Sequence, residues 1–406
     1  MPLPTGEADR SSSGTDDAPR VQPVDERTPR VRPRREWLRI SGYVQPQFTY
    51  RVRDDARPRD RRELGAGSTR AGLVFSGAPL RRWSYTIHVV LGATLINTIT
   101  RVDVVDDDGD GTVDGVATRA EPVPGLFVEE LSVRYRPVDA KRSDRDASLV
   151  HLDLKLGQLR IPWTVQQKVF NAALMFPRRS APNDVFLFGT DLGALASLGV
   201  LEDRVELSAG VFNGTGLAVQ RSNERGALYS GRLDINPLGG FAYNEGDLER
   251  ERFRFGVGTG ALYFPSRLYD DAGNDTGTRA RDLRVSASLR MSVRGFYVQA
   301  EYLRRQRTDA LSSLPRISQG AYVQSSMFVA LPRELGIAPI GRFGWTTTDQ
   351  RVSPRTVLYG EAGVALYLGN EERRDALRVL VQYLGEARRS EHERADGASM
   401  QLQLRF

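Results

Sequence analysis

The chain closes on ASMQLQLRF (398–406), in which Met400, Leu402, Leu404 and Phe406 alternate with Ser399, Gln401, Gln403 and Arg405. Successive side chains of a strand point to opposite faces, so this segment has an apolar and a polar face up to its final residue. Chain ends normally fray. A terminal strand that must stay ordered needs partners on both edges. The same alternation opens the patterned part of the chain in LRISGYVQPQFTY (38–50): Leu38, Ile40, Val44, Phe48 and Tyr50 share one face, and Arg39, Ser41, Gln45, Gln47 and Thr49 the other.

Working outward, the pattern recurs in WSYTIHVVL, VHLDLKLG, VELSAGV and LRVSASLRMSV. It predicts strands near 38–50, 67–77, 82–95, 126–136, 148–160, 191–200, 204–213, 227–236, 253–264, 281–293, 295–306, 319–331, 337–348, 356–368, 376–385 and 398–406. Sixteen is an even number. Short connectors (201–204, 294–295) interleave with long ones (96–125, 161–190, 265–280). Short turns on one rim, long loops on the other and about ten residues per alternating segment predict an all-β, transmembrane antiparallel barrel with short periplasmic turns and long outer loops. A soluble sandwich also alternates, but its connectors do not sort by parity. Closure then explains the terminus, because an open edge leaves N–H and C=O groups unpaired in hydrocarbon and the last strand has to pair with the first.

Composition narrows the alternatives. The absence of cysteine removes disulfides, thiolate metal sites, a lipidated cysteine and a cysteine nucleophile. Lys141, Lys155 and Lys168 are the only lysines among 57 basic residues, so the positive charge is almost wholly guanidinium, which suits phosphate and carboxylate groups. A pI near 9.6 raises nucleic acid as a partner, but the arginines are scattered and interleaved with acids. Mean hydropathy is −0.40, and the longest nearly apolar run, 192–201, is far short of the roughly 20 residues a spanning helix needs. Residues 1–36 are rich in Pro, Arg, Ser and Asp and predict a disordered polar segment ahead of a barrel domain at 37–406. They hold no apolar core of signal-peptide type, so export implies a signal removed or lying upstream of the start.

LDLKLGQLRIPW (152–163), FGTDLGALASLGVLEDRVELSAGVFNGTG (188–216) and YSGRLDINPLGG (229–240), followed by VQAEYLRR (298–305) and YVQSSMFV (322–329), resemble the phosphate-selective porin O/P family in order along the chain. The chain departs from that pattern at Leu159, where an aromatic is usual, and at the step Gly189-Thr190-Asp191-Leu192-Gly193. The resemblance implies a sixteen-stranded homotrimeric porin in the outer membrane of a Gram-negative bacterium, surrounded by its lipid and passing small anionic solutes. It implies that Phe406 is read by the outer-membrane assembly machinery; an aromatic anchored at the membrane interface is the alternative. It further implies that the third long loop, 161–190, folds inward, which makes Lys168, Arg178 and Arg179, opposed by Asp184, the constriction candidates.

Parity places Arg39, Arg70, Arg134, Lys155, Arg232, Arg254, Arg284, Arg290, Arg342 and Arg378 on the lumenal face, against Glu130, Asp153, Glu206, Asp234, Asp282, Glu301 and Glu361. The modest excess of cations predicts a modest anion preference, phosphate or similar, with Arg232, Arg284 and Arg290 along the path. A general non-selective pore and a non-conducting scaffold or adhesin barrel are the competing readings. In DDDGDGTVDG (106–115), Asp106, Asp108, Asp110 and Asp114 stand at positions 1, 3, 5 and 9 of a calcium-type loop, but Ala117 replaces the bidentate Glu and no EF-hand helices flank it. The loop is either a weak calcium site or an acidic tip. Three histidines (His88, His151, His392) and no hydrolase motif predict a protein that is not an enzyme.

Overall fold

A computed structural model describes residues 37–53, 62–66, 69–105, 115–141, 148–214, 216, 226–269, 275–308, 315–348, 355–369, 374–388 and 393–406. The acidic loop tip, with Asp106, Asp108, Asp110 and Asp114, and the segment 1–36 lie outside them. Sixteen antiparallel strands close into a barrel. They are β1 (Arg39–Gln45 and Gln47–Arg53, interrupted at Pro46), β2 (Arg62–Ala66 and Arg70–Leu80), β3 (Trp83–Val105), β4 (Gly115–Lys141), β5 (Ser148–Arg160), β6 (Thr190–Val200), β7 (Val205–Phe212) and β8 (Leu228–Ile235). The second half is β9 (Arg254–Tyr269), β10 (Asp275–Val293), β11 (Phe296–Thr308), β12 (Arg316–Met327 and Val329–Leu331), β13 (Leu335–Thr348), β14 (Arg355–Leu368), β15 (Leu377–Arg388) and β16 (Glu393–Arg405).

Each strand pairs with its neighbour in sequence, and β16 returns to β1 from Arg53↔Ala395 to Tyr43↔Arg405. The final residue belongs to this seam. The Gly42 N–H donates to the Phe406 carbonyl at 2.9 Å and the Phe406 N–H to the Gly42 carbonyl at 3.0 Å. A Cβ at Gly42 would sit 2.7 Å from the Phe406 ring, so the seam has no room for a side chain there.

Polarity is inside out. Met400 is 47 % exposed while Gln401 beside it is 1 %, and Leu402, Leu404 and Phe406 continue the exposed row. On β1 the exposed row is Leu38, Ile40, Val44, Phe48 and Tyr50, the face set by alternation. Apolar side chains in such rows around a closed barrel suit hydrocarbon and not water. Trp83 and Tyr135 stack at 4.6 Å between centroids near the rim that carries both termini, where an aromatic is suited to a membrane–water boundary.

Three features depart from the sequence reading. The connectors expected at 96–125 and 265–280 are mostly ladder: pairing runs to Val105↔Gly115 and to Tyr269↔Asp275. Alternation marks only the stretch that faces hydrocarbon, whereas ladder hydrogen bonds continue without it. At the terminus rim the connector between Ile235 and Arg254 is long, so loop length does not sort cleanly by rim. In β4 the register slips between His88 and Val89 of its partner, so that Leu126 and Val128 point out, then Leu131 and Val133. The bulge turns Glu129 inward beside Glu130.

Candidate functional site

The loop joining β5 to β6 enters the barrel. It carries only one turn of helix at α1 (Val165–Lys168), a 3-10 turn at Asn171–Ala173 and a short α2 (Ala181–Val185). Thr164 and Ser180 cap the two helices, their hydroxyls accepting from the N–H groups of Gln167 and Asn183. Most of its carbonyls therefore lack an intraloop partner, and a buried carbonyl without one is costly.

The barrel wall supplies those partners, largely from arginine. Arg232 on β8 donates to the Trp163 carbonyl (3.3 Å), Arg378 on β15 to Leu174 (2.7 Å), Arg70 on β2 to Pro177 (2.7 Å), Arg342 on β13 to Arg178 (3.1 Å) and Arg284 on β10 to Phe186 (2.6 Å). A planar guanidinium with five donors can bond a loop carbonyl and a wall carboxylate together. Arg232 does so with Asp234 at 2.6 Å, Arg284 with Asp282 at 2.8 Å and Arg342 with Glu361 at 2.7 Å. On β11, the Glu301 carboxylate accepts from the Val165 N–H (2.8 Å) and from Asn183 Nδ2 (3.0 Å). Loop and wall also approach without side chains between them: a Cβ at Gly260 on β9 would overlap the Trp163 carbonyl. Apolar packing completes the attachment, with Ile161, Trp163 and Phe186 buried against Leu228, Leu262 and Leu303.

The long terminus-rim connector enters from the other side and meets this loop. Its Glu245 carboxylate accepts from the Met175 N–H and from Gln166 Nε2, both at 2.7 Å, while the Glu245 N–H donates to the Ala173 carbonyl at 3.0 Å. Arg254 and Arg290 hold it by donating to the carbonyls of Gly240 (2.7 Å) and Ala242 (3.2 Å), and the Arg290 guanidinium lies over the rings of Phe241 and Tyr243. Phe241 and Leu248 pack with Met175 and Phe176 of the loop. Sequence reading missed this segment. Its signal was Phe241, Tyr243 and Leu248 inside a connector long for the rim of short turns.

A cavity of about 300 Å³ opens against β4–β7. Its ionisable lining is Glu130, His151, Asp153, Lys155, Arg160, Lys168 and Glu206.

Each residue expected at the path has a definite place. Lys168 Nζ lies 3.1 Å from Glu206 and 3.2 Å from Asp234 and bonds the Tyr243 hydroxyl. Burial lowers its pKa, and Asp234 and Glu206 push it back up. Arg179 donates to the carbonyls of Gln166 (3.1 Å) and Val169 (3.4 Å), and burial lowers its pKa. Arg178 is 54 % exposed and lies 3.6 Å from Asp184, whose carboxyl burial raises above the usual range against the pull of Arg178 and Arg179. Arg232, Arg284 and Arg290 are buried and engaged as described, so they fasten the inward segments and do not line an open channel. His88 gives its Nδ1 to Glu129 at 2.9 Å, and Arg160 approaches the same carboxylate at 3.3 Å. The bulge that turned Glu129 inward is invisible to strict parity. Among the described residues no group of three or more His, Asp or Glu side chains is arranged to hold a metal.

No family model matches the chain, and no curated protein sequence matches it. Solved structures do. The outer membrane protein OmpT of Vibrio cholerae, in its trimer form, aligns over 91 % of this chain and 100 % of its own at 10 % identity and a TM-score of 0.53. Salmonella typhi OmpF in complex with daunomycin aligns over 91 % and 97 % at 12 % identity and 0.52. An anion-selective porin from Comamonas acidovorans aligns over 91 % and 99 % at 8 % identity and 0.51. The chain therefore has the fold of an outer-membrane β-barrel.

Proposed function

We propose that the protein is an outer-membrane porin, a passive diffusion channel for small solutes. The observation that carries this is the pairing of an apolar exterior with a polar interior that two inward segments enter and that keeps an open cavity against β4–β7. The location in a Gram-negative outer membrane, a homotrimeric state and recognition of Phe406 by the assembly machinery belong to the same proposal. So does kinship with the phosphate-selective porin O/P family, supported by the ordered motifs from Leu152 to Val329. We read the chain as a channel and not an enzyme: His88 is committed to Glu129, and no nucleophile–base pair suggests itself in the sequence.

A modest anion preference is the finer reading. Arg70, Arg179, Arg290 and Arg378 face the interior with carbonyl or amide partners and no carboxylate oxygen within ion-pair distance, among the described residues. Their charge meets no carboxylate in direct contact, whereas Arg232, Arg284, Arg342 and Lys168 are paired with acids. Phosphate selectivity in particular has no dedicated cluster behind it among the described residues. A calcium ion at Asp106, Asp108, Asp110 and Asp114 remains a proposal from spacing alone, testable by calorimetry against an Asp108→Asn, Asp110→Asn variant. The function is tested by single-channel recording of the purified protein in potassium chloride gradients. Steady channels with a reversal potential on the anion side are expected; a barrel that inserts but does not conduct overturns the porin reading.

A further inference from the structure

The cavity against β4–β7 contains seven ionisable side chains, and their pairing is uneven. Asp153 is held by Arg136 in two hydrogen bonds of 2.7 and 2.9 Å. Lys168 is paired with Glu206, Arg160 lies 3.3 Å from Glu129, and His151 Nδ1 is 3.5 Å from Asp203. Two remain. Lys155 has no hydrogen-bond or ionic partner among the described residues, and Glu130 has only the Ser132 hydroxyl, which donates to it at 3.0 Å. These two charges are of opposite sign, both line the same cavity and sit on adjacent strands. An unpaired charge facing a narrow cavity keeps its hydration only until a solute of opposite charge displaces it.

We propose that this cavity binds a small zwitterionic solute of short-peptide size, with its carboxylate at Lys155 and its ammonium at Glu130. The assignment rests on the channel reading above for its role in transport, but the site itself does not depend on conduction. The register sets the size of the ligand. Lys155 pairs with Arg134, and Glu130 lies four residues along the same strand, or about 13 Å at roughly 3.3 Å per residue. The two side chains cannot neutralise each other across that distance without bending toward one another. Extended toward a solute, they leave a span of several ångströms, which exceeds the charge separation of a free α-amino acid and matches a di- or tripeptide. The neighbouring paired groups leave little net charge around the site, so a purely anionic or purely cationic solute satisfies one end and leaves the other exposed.

Three probes separate the possibilities: triglycine, its N-acetylated form, which is an anion, and its C-terminal amide, which is a cation. We expect triglycine to reduce single-channel current with a half-blocking concentration at least fivefold lower than either capped form. Lys155→Gln and Glu130→Gln should each bring triglycine to the level of the capped forms. Block by N-acetyl-triglycine equal to that by triglycine, lost only in Lys155→Gln, would make this an anion site and overturn the assignment, as would block insensitive to both variants. Calorimetry with the same probes on the detergent-solubilised barrel reads the site directly. A barrel that binds triglycine yet passes no current sinks the porin reading and leaves the site standing; a conducting barrel that does not bind it does the reverse.

Discussion

The lumen has two walls that treat charge in different ways. Between β8 and β15 four inward guanidinium groups, those of Arg232, Arg284, Arg342 and Arg378, are buried and reach past their own strands to the carbonyls of an inward loop. From β4 to β7 the charges line open space, and Lys155 and Glu130 have no ionic partner among the described residues. The residues look alike in sequence, since both sets follow the same parity. Their roles differ because an ionised group beside a loop backbone becomes an attachment point, and one beside solvent stays available to a solute. Counting cations therefore overstates the charge a permeating ion meets.

The largest expected effect tests the attachment. Gly260→Val places a side chain where the Trp163 carbonyl sits, and the loop cannot keep its contacts with Arg232 and Ser286. Conductance should rise at least twofold, and trypsin should cut at Arg178 or Arg179; unchanged current and protection would show that this wall does not hold the loop. Next in size is the seam. Deleting Phe406 removes two ladder hydrogen bonds to Gly42, so the fraction of heat-modifiable barrel in the outer membrane should fall severalfold while inserted channels keep their conductance. Equal insertion of the shortened chain would make the ring dispensable.

A direct contrast between the walls comes third. Arg284→Gln removes donors to Asp282 and to the Phe186 carbonyl, both buried, at a cost of about 1–3 kcal/mol. Lys155→Gln removes no hydrogen bond or ion pair among the described residues and should stay within about 0.5 kcal/mol of the parent. Urea-driven unfolding in lipid vesicles compares them, and equal costs would erase the distinction. The smallest effect is in pH. Asp184 has its pKa raised by burial, so on acidification it takes up its proton earlier than an ordinary aspartate. Above that range it is ionised beside Arg178; below it the pair is broken and the loop gains net positive charge. Anion preference should therefore increase as pH falls through this range. The shift should vanish in Asp184→Asn, and a shift of opposite sign would place Asp184 off the path.

The sequence determined the barrel. Alternation from Leu38 to Phe406 fixed the strand number and the outward face because hydrocarbon demands an apolar side chain at every second position, and that demand is local and periodic. Closure followed, since an edge cannot be left in lipid. It also placed Arg232, Arg284 and Lys155 on the inward face. It could not say which inward charges are occupied, because an ion pair or a carbonyl bond joins residues far apart in the chain, such as Arg378 and Leu174. The bulge at Glu129, the entry of the connector carrying Glu245 and the open cavity beside Lys155 were likewise decided by tertiary structure. Each depends on where buried backbone and carboxylates find partners across the lumen, and no periodicity along the chain records that.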